Sequence, residues 1–141
     1  MTLEEAEERY PGAQTFTFGD SRALCNLLLK LVREGRKHAT STALREYDNN
    51  KAGKPEVGRC DIGLDWDGNP AIVIETTEVI VCRFDAVGVD FALAEGEDTS
   101  LDGWQESHRR YFARNGGFSP EMLLVCERFR LVEDLGAKAQ A

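Results

Sequence analysis

The sequence predicts an α+β fold. Segments with helical and with strand periodicity are mixed along the chain, the polar connections between them are long, and no βαβ unit repeats. Its 141 residues are most simply one domain that can bury its own core.

The charge balance excludes some classes of partner. The formal net charge is −8, which argues against binding to extended duplex DNA, because sequence-independent binding to a phosphate backbone depends on lysine and arginine. No segment is apolar enough to span a membrane, and the acidic N-terminus lacks the pattern of a signal peptide. We therefore expect a cytoplasmic protein whose ligand is small or single-stranded.

The first elements are short. Residues 2–5 have the form of a capping box and predict a short acidic helix, which the Pro-Gly pair at 11–12 ends. We treat residues 1–14 as an N-terminal acidic extension without chemistry. Residues 15–18 alternate threonine and phenylalanine, which indicates a short strand or an extended segment packing two rings on the core.

A helix followed by a strand forms the most informative junction. Apolar residues repeat with the spacing of one helix face, namely Leu24, Leu27, Leu28, Leu31 and Val32. Asp20 is the expected N-cap and Gly35 the expected stop. Residues 39–44 are rich in threonine and small residues, which suits a strand. Lys37 and Thr40 therefore lie between a helix and a strand, where scaffolds commonly present reactive groups.

A polar loop and a hairpin follow the junction. Residues 45–58 predict a loop over it, with Tyr47 as either an aromatic platform for a base or an ordinary loop-edge tyrosine. Residues 60–66 alternate apolar and polar side chains, the next four residues form a turn, and residues 71–82 supply a long strand.

The second half of the chain adds two helices and a strand. Asp85 is expected to open a short helix that Gly96 ends, which places Glu95 in its last turn. A carboxylate is unfavourable at that end of a helix, so Glu95 has either a function or a chance position on a wet surface. Residues 100–115 predict a helix, residues 123–132 the last strand, and residues 133–141 a frayed tail.

The long helix presents one apolar stripe. Its members are Leu101, Trp104, His108, Tyr111 and Phe112. We interpret His108 as a histidine at the edge of the core, because two distant histidines make a poor metal site. The basic residues around Arg36 are either a solvated surface or a contact to the ligand.

The cysteines point to no metal or redox site. They are widely separated in apolar surroundings and lack the close spacing of zinc or redox motifs; they are Cys25, Cys60, Cys82 and Cys126. We expect reduced, buried cysteines in a protein without a metal or other cofactor.

Several motifs together resemble a known family. The first is residues 35–42, Gly-Arg-Lys-His-Ala-Thr-Ser-Thr, and the others are residues 18–21, 55–58, 76–79, 94–97, 104–112 and 126–129. They resemble the ASCH domain family, relatives of the PUA-like RNA-binding barrels, whose members carry Gly-Lys/Arg-Lys-Thr-x-Thr after the first long helix. His38 departs from this pattern, since many relatives have threonine there. The resemblance covers residues 15–132 and implies a PUA-like small β-barrel flanked by helices.

The resemblance also implies an activity. Small ASCH enzymes that remove the acetyl group from acetylated cytidine use a lysine, a threonine and a glutamate in the corresponding motifs, which implies Lys37, Thr40 and Glu95 as catalytic residues. In chemical terms Thr40 offers a nucleophile, Lys37 a base, and Glu95 a group that orients Lys37 or carries a proton. Residues three apart in a regular strand point to opposite faces, so pairing Lys37 with Thr40 requires a bend or the reach of the lysine.

Two other functions remain open from the sequence. Some longer bacterial ASCH proteins, which this chain resembles in its Trp104 helix, cleave single-stranded RNA. Many PUA-like domains bind a nucleoside or an RNA end without catalysis. In each case the partner is a modified nucleoside or single-stranded RNA. We expect Arg36, Tyr47, Trp104 and Ser119 to contact it, the last because the resemblance places its turn near the same cleft. The sequence does not predict the oligomeric state.

Overall fold

The computed structural model describes residues 1–50 and 53–136. Its elements in chain order are α1 (Leu3–Arg9), β1 (Thr15–Thr17), α2 (Arg22–Arg33), β2 (Ala39–Ala43), α3 (Leu44–Asn50), β3 (Cys60–Leu64), β4 (Pro70–Arg83), a 3₁₀ turn (Phe84–Ala86), α4 (Val89–Ala94), α5 (Leu101–Arg114) and β5 (Leu123–Asp134). Parts of the predicted loop and tail, residues 51–52 and 137–141, lie outside the described residues.

The five strands form one curled sheet in the order β1-β3-β4-β5-β2. Strand β1 is parallel to β3, and the other neighbours are antiparallel. The two edge strands, β1 and β2, line the same cavity, so the sheet is a half-barrel with an open seam. The predicted α+β class and PUA-like architecture are confirmed.

Helices pack on both faces of this sheet. Helix α2 buries Cys25, Leu28, Leu29, Leu31 and Val32 against Ile72, Ile74 and Phe129 of β4 and β5. Helix α5 buries Trp104 and Phe112 on the other side, beside Ala43 of β2 and Cys126 of β5. None of the helices in the described part of the chain has the length and hydropathy needed to cross a membrane.

Local details of α2 differ from the sequence prediction. Ser21, not Asp20, is the N-cap, and its hydroxyl oxygen accepts a hydrogen bond from the Leu24 amide. Asp20 is instead bonded by Arg114 at 2.6 Å. Leu27 was predicted on the buried stripe but is 49% exposed, because the core covers only part of the apolar face.

Other boundaries also differ. The start of the predicted loop is helix α3, which carries Tyr47. Helix α4 begins only at Val89, after the separate 3₁₀ turn, and Glu95 is its C-cap. Strand β5 continues to Asp134, two residues beyond the predicted end of the strand, and Leu135 is buried beside α1.

The cysteines are less dispersed in space than in sequence. All four are free, but Cys82 and Cys126 lie on the neighbouring strands β4 and β5 with their Sγ atoms 3.7 Å apart. Cys60 and Cys82 are only half-buried. The expectation that all four are buried was therefore wrong for Cys60 and Cys82. The approach of Cys82 to Cys126 depends on strand pairing, which sequence spacing does not show.

A close backbone contact joins α4 to the junction between α2 and β2. Gly96 has φ +76°, and a Cβ atom there would overlap the carbonyl oxygen of Arg36. The His38 amide also donates to the Ala94 carbonyl at 2.9 Å. This contact holds the segment that carries Glu95 against the segment that carries Lys37.

Replacing Gly96 with alanine should be strongly destabilising. The substitution combines left-handed backbone strain with a clash against backbone that cannot move freely, together costing about 3–5 kcal/mol. Gly68→Ala is the matched control, since Gly68 has φ +87° but open space around it, and we expect a loss of about 1–2 kcal/mol. Urea unfolding measures both, and equal losses would show that the contact at Gly96 is unimportant.

Candidate active site

A cavity of about 580 Å³ opens along the seam of the half-barrel. Its walls come from β1, β2, α3, the α4–α5 connection and α5; they include Phe16, Phe18, Thr40, Ser41, Thr42, Glu46, Tyr47, Glu95, Glu97, His108, Arg110, Tyr111 and Arg114. The volume is within the range of small-molecule sites and suits a nucleoside-sized ligand.

Glu95 is the centre of the buried polar network beside this cavity. It is 1% exposed, and its Oε2 accepts hydrogen bonds from Trp104 Nε1 and Ser41 Oγ, each at 2.8 Å. Its Oε1 lies 3.4 Å from Lys37 Nζ and 3.3 Å from His108 Nε2. Burial opposes ionisation, but the Lys37 charge and these donors outweigh it and lower the pKa of Glu95. Glu95 is therefore held as a carboxylate.

Lys37 is enclosed by acceptors. Its Nζ donates to the Ala39 carbonyl at 2.9 Å, to Glu97 Oε2 at 2.9 Å, and to the carbonyl and Oε1 of Glu95, both at 3.4 Å. Thr40 is not among these partners. The predicted Lys37–Thr40 pair is thus not hydrogen-bonded in the structure, because the Lys37 ammonium points to the two glutamates.

Glu97 and His108 complete the network, although the sequence interpretation gave neither a role. Burial raises the pKa of Glu97; the nearby Lys37 opposes this rise and the Glu95 charge adds to it. Burial lowers the pKa of His108, but bonding and charge from Glu95 outweigh it, so the net direction is upward. Both ring nitrogens of His108 face acceptors, Trp104 O at 2.9 Å and Glu95 Oε1, which favours the imidazolium.

This network can hold and move protons. Glu95 and Glu97 are neighbouring glutamates whose pKa values are shifted in opposite directions. Glu95, with the lowered pKa, stays an anion, whereas Glu97, with the raised pKa, can take up and release a proton. His108 is buried at the core edge as predicted and stacks on Trp104 with centroids 4.3 Å apart. Its spacing of four residues from Trp104 on one helical stripe was the available sequence signal for a shared environment.

Thr40 faces a second acidic group on a different side of β2. In the β2–β5 pairing Thr40 lies directly opposite Glu127, which places the two side chains on the same face. Glu127 accepts a hydrogen bond from Thr76 Oγ1 at 3.1 Å. Burial is the main cause that raises the pKa of Glu127, to about 7, and the negative charge of Asp61 adds to this rise. The Thr76 hydrogen bond and the positive charge of Arg59 act in the opposite direction. The sequence signals for Glu127 were its place in the motif of residues 126–129 and a carboxylate within an apolar strand.

The remaining predicted site residues separate into two groups. Tyr47 lines the cavity, and Trp104 lies directly behind its wall, fully buried. Arg36 is exposed and is not part of the wall. Ser119 also lies outside it, with its hydroxyl donating to Glu121 Oε2 at 2.7 Å. Of the four residues predicted to contact the ligand, Tyr47 therefore lines the cavity, whereas Arg36, Trp104 and Ser119 do not.

One set of side chains has the composition of a metal site. Glu95, Glu97 and His108 could each offer a ligand atom, and these atoms lie within 4.8 Å of one another. The Lys37 ammonium already bonds to both carboxylates. A metal ion bound there would lie against this cation, and the repulsion between the two charges disfavours a divalent metal while Lys37 stays bonded.

Comparison with known proteins gives a consistent result. The family model described as the ASCH domain matches residues 14–133. The chain is similar to the crystal structure of the ASCH domain from Lactobacillus crispatus JV V101, with 33% identity and a TM-score of 0.78, covering 92% of this chain and 86% of that one. It is also similar to protein EF3133 from Enterococcus faecalis V583, with 35% identity and a TM-score of 0.83, covering 99% and 88%. No curated protein matches the chain.

Removing the indole donor to Glu95 should destabilise the fold. Trp104→Phe leaves a buried carboxylate with one hydrogen bond fewer, and we expect a loss of about 1–3 kcal/mol in the free energy of unfolding. Trp66→Phe, at a tryptophan that is 40% exposed, is the control, with an expected change within about 0.5 kcal/mol. Denaturant unfolding at pH 7 checks both; an unchanged Trp104→Phe protein would contradict the role given to this bond.

The pKa of Glu127 makes a pH-dependent prediction. Its pKa in the folded protein, about 7, exceeds the ordinary value of 4.5, so the unfolded chain loses this proton at a lower pH than the folded protein does. The contribution of Glu127 to the free energy of unfolding is therefore complete below pH 4.5 and is lost as the pH rises to 7. Glu127→Gln removes this penalty, and should stabilise the protein at pH 8 by up to about 3 kcal/mol more than at pH 4.5. The exposed Glu8→Gln is the control. Urea unfolding across this pH range should show a difference for Glu127→Gln alone, and a flat difference would contradict the shift.

Proposed function

The chain belongs to the ASCH domain family, and on that premise we propose that it binds a modified nucleoside and hydrolyses the acyl group from the amine of an acetylcytidine-like base. The observation that carries this proposal is the shared cavity: the Thr40 hydroxyl and the Glu95–Glu97–His108 network line one nucleoside-sized space. A nucleophile and a proton donor on one cavity are two of the three groups that amide hydrolysis needs; the third is a group that removes the proton of the nucleophile.

The walls of the cavity favour a base with a neutral sugar over a polyanion. Tyr47 and Tyr111 line the cavity, and aromatic rings are side chains on which a base can stack. Three carboxylates line the cavity against two arginines, and both arginines are already in ion pairs, Arg110 with Glu106 and Arg114 with Asp20. A phosphate backbone would meet little unmatched positive charge here, which supports a nucleoside as the substrate and disfavours a ribonuclease.

The proposed reaction has two steps, formation of an ester on Thr40 and hydrolysis of that ester by water. Thr40 would attack the acyl carbon and form an ester, while the departing amine takes a proton from His108 or Glu97, the two groups of the network whose pKa values are raised. Lys37 is not part of the cavity wall; it stays bonded to the two glutamates and holds them beside the cavity. Water then hydrolyses the ester and frees Thr40.

A non-catalytic binding domain is the second candidate. Its supporting observation is the enclosure of Lys37 by four acceptors without a bond to Thr40, an arrangement that also serves a purely structural ion pair. In that case the cavity would bind a nucleoside or the end of an RNA strand and release it unchanged.

Purified protein should deacetylate acetylcytidine and leave single-stranded RNA intact. Thr40→Ala should lower kcat by about 10³-fold or more, as expected for loss of a nucleophile. Thr42→Ala is the matched control, because Thr42 lies two residues along the same strand and also lines the cavity. Since Thr42 bonds Tyr47, this variant should change KM more than kcat. Chromatography of the reaction products measures both substrates.

Two outcomes would replace the hydrolase. Cleavage of RNA with no deacetylation would favour the ribonuclease. Nucleoside binding by calorimetry, with neither substrate changed, would favour the binding domain.

A further inference from the structure

The proposed attack by Thr40 requires a group that removes its proton. In β2 the side chains alternate between two faces of the sheet. Ser41 points to Glu95, and its pairing partner Cys126 packs beside Trp104. Thr40 is on the other face, so the base has to come from the groups on that side.

The strand register identifies one carboxylate there. Thr40 and Glu127 are directly opposite in an antiparallel pair, and the Cβ atoms of such partners are about 4.5–5.5 Å apart. No hydrogen bond joins these two side chains in the described part of the chain, but a glutamate side chain is long enough to reach a threonine hydroxyl across this gap by rotation about its own bonds. The strands hold this pair in place, because β2 and β5 are paired from Ala39 to Ala43.

We propose that Glu127 is the general base that accepts the Thr40 proton, an assignment that rests on the hydrolysis proposed above. Its Oε2 accepts the Thr76 hydroxyl proton, which orients the carboxylate. Within the described part of the chain no hydrogen bond to its Oε1 is formed, so this oxygen is available to Thr40.

Glu127 has no close ion pair among the described residues, because the cations nearest to it are bonded to other carboxylates. Arg59, before β3, makes a two-pronged contact with Asp61 of β3 instead. Lys37, from the α2–β2 connection, bonds to Glu95 and Glu97. Tyr47 of α3 contributes no charge at neutral pH, since burial raises its pKa. A buried carboxyl group in these surroundings, with a pKa of about 7, exchanges protons in the range where a general base is most effective.

The reaction then balances. The Thr40 proton passes to Glu127 as the bond from Thr40 Oγ to the acyl carbon forms, the C–N bond breaks, and the amine leaves with a proton from the His108 network. Glu127 returns its proton to that network through solvent in the cavity. Water next attacks the ester and gives a proton to Glu127, which delivers it to Thr40 Oγ as the ester C–O bond breaks, releasing acetate and one proton.

The test is the pH profile of kcat/KM for acetylcytidine in three proteins. The wild-type rate should rise with pH through a midpoint near pH 7, because the base must be ionised. Glu127→Gln should lose at least about 100-fold together with this rise, while its affinity for unmodified cytidine stays unchanged. Glu127→Ala should be restored in part by added formate, which a purely structural loss would not allow.

The outcomes separate this inference from the function on which it rests. If wild type and Thr40→Ala behave as proposed but Glu127→Gln keeps the same rise with pH, another group is the base and the hydrolase stands. If the wild-type protein does not hydrolyse acetylcytidine, both proposals are overturned. Circular dichroism confirms that each variant is folded.

Discussion

The buried ion pair between Lys37 and Glu95 is the interaction on which the rest of the site depends. Both side chains are almost fully buried, and each has its other polar atoms bonded within the network. Removing either partner would leave an unpaired charge in the interior, which typically costs 3–5 kcal/mol. The pair joins the α2–β2 junction to the end of α4, and Trp104 fixes the same carboxylate to α5. The cavity keeps its shape because three elements converge on one carboxylate.

Strand β2 divides the chemistry of the site between its two faces. Ser41 bonds to the carboxylate network, whereas Thr40 lies opposite Glu127. At an edge strand both faces reach the same cavity, which a central strand between two layers would not permit. Under the proposed mechanism, a substrate in the seam would meet the hydroxyl from one side and the proton-donating network from the other. This arrangement follows from the incomplete closure of the barrel.

Local pattern was enough to predict much of the fold, and non-local contacts explain the rest. Periodicity located α2, α5 and the β3–β4 hairpin. The unfavourable position of Glu95 at a helix end drew attention to a residue that the structure buries instead of leaving it on a wet surface. The choice of Ser21 over Asp20 as N-cap could not be predicted, because both are good caps and a tertiary bond to Arg114 decides between them. Glu127 was missed for a related reason: its position beside Thr40 depends on the pairing of two strands far apart in sequence. The polar helix α3 was assigned to a loop because its sequence lacks an apolar stripe.

The location of Glu95 also explains why a charge that weakens its helix is tolerated. A carboxylate at a helix C-terminus is unfavourable by about 0.3–1 kcal/mol at an exposed site, a small cost beside that of leaving the Lys37 ammonium unpaired in the interior. Gly96 allows the backbone to turn at this point and to approach Arg36, so the same residues that end α4 also bring its last carboxylate to the lysine. At the end of α4, the stabilisation from pairing Glu95 with Lys37 thus outweighs the unfavourable interaction of the carboxylate with the helix end. The preference against a carboxylate at a helix C-terminus is therefore overridden at Glu95, the residue at the centre of the polar network.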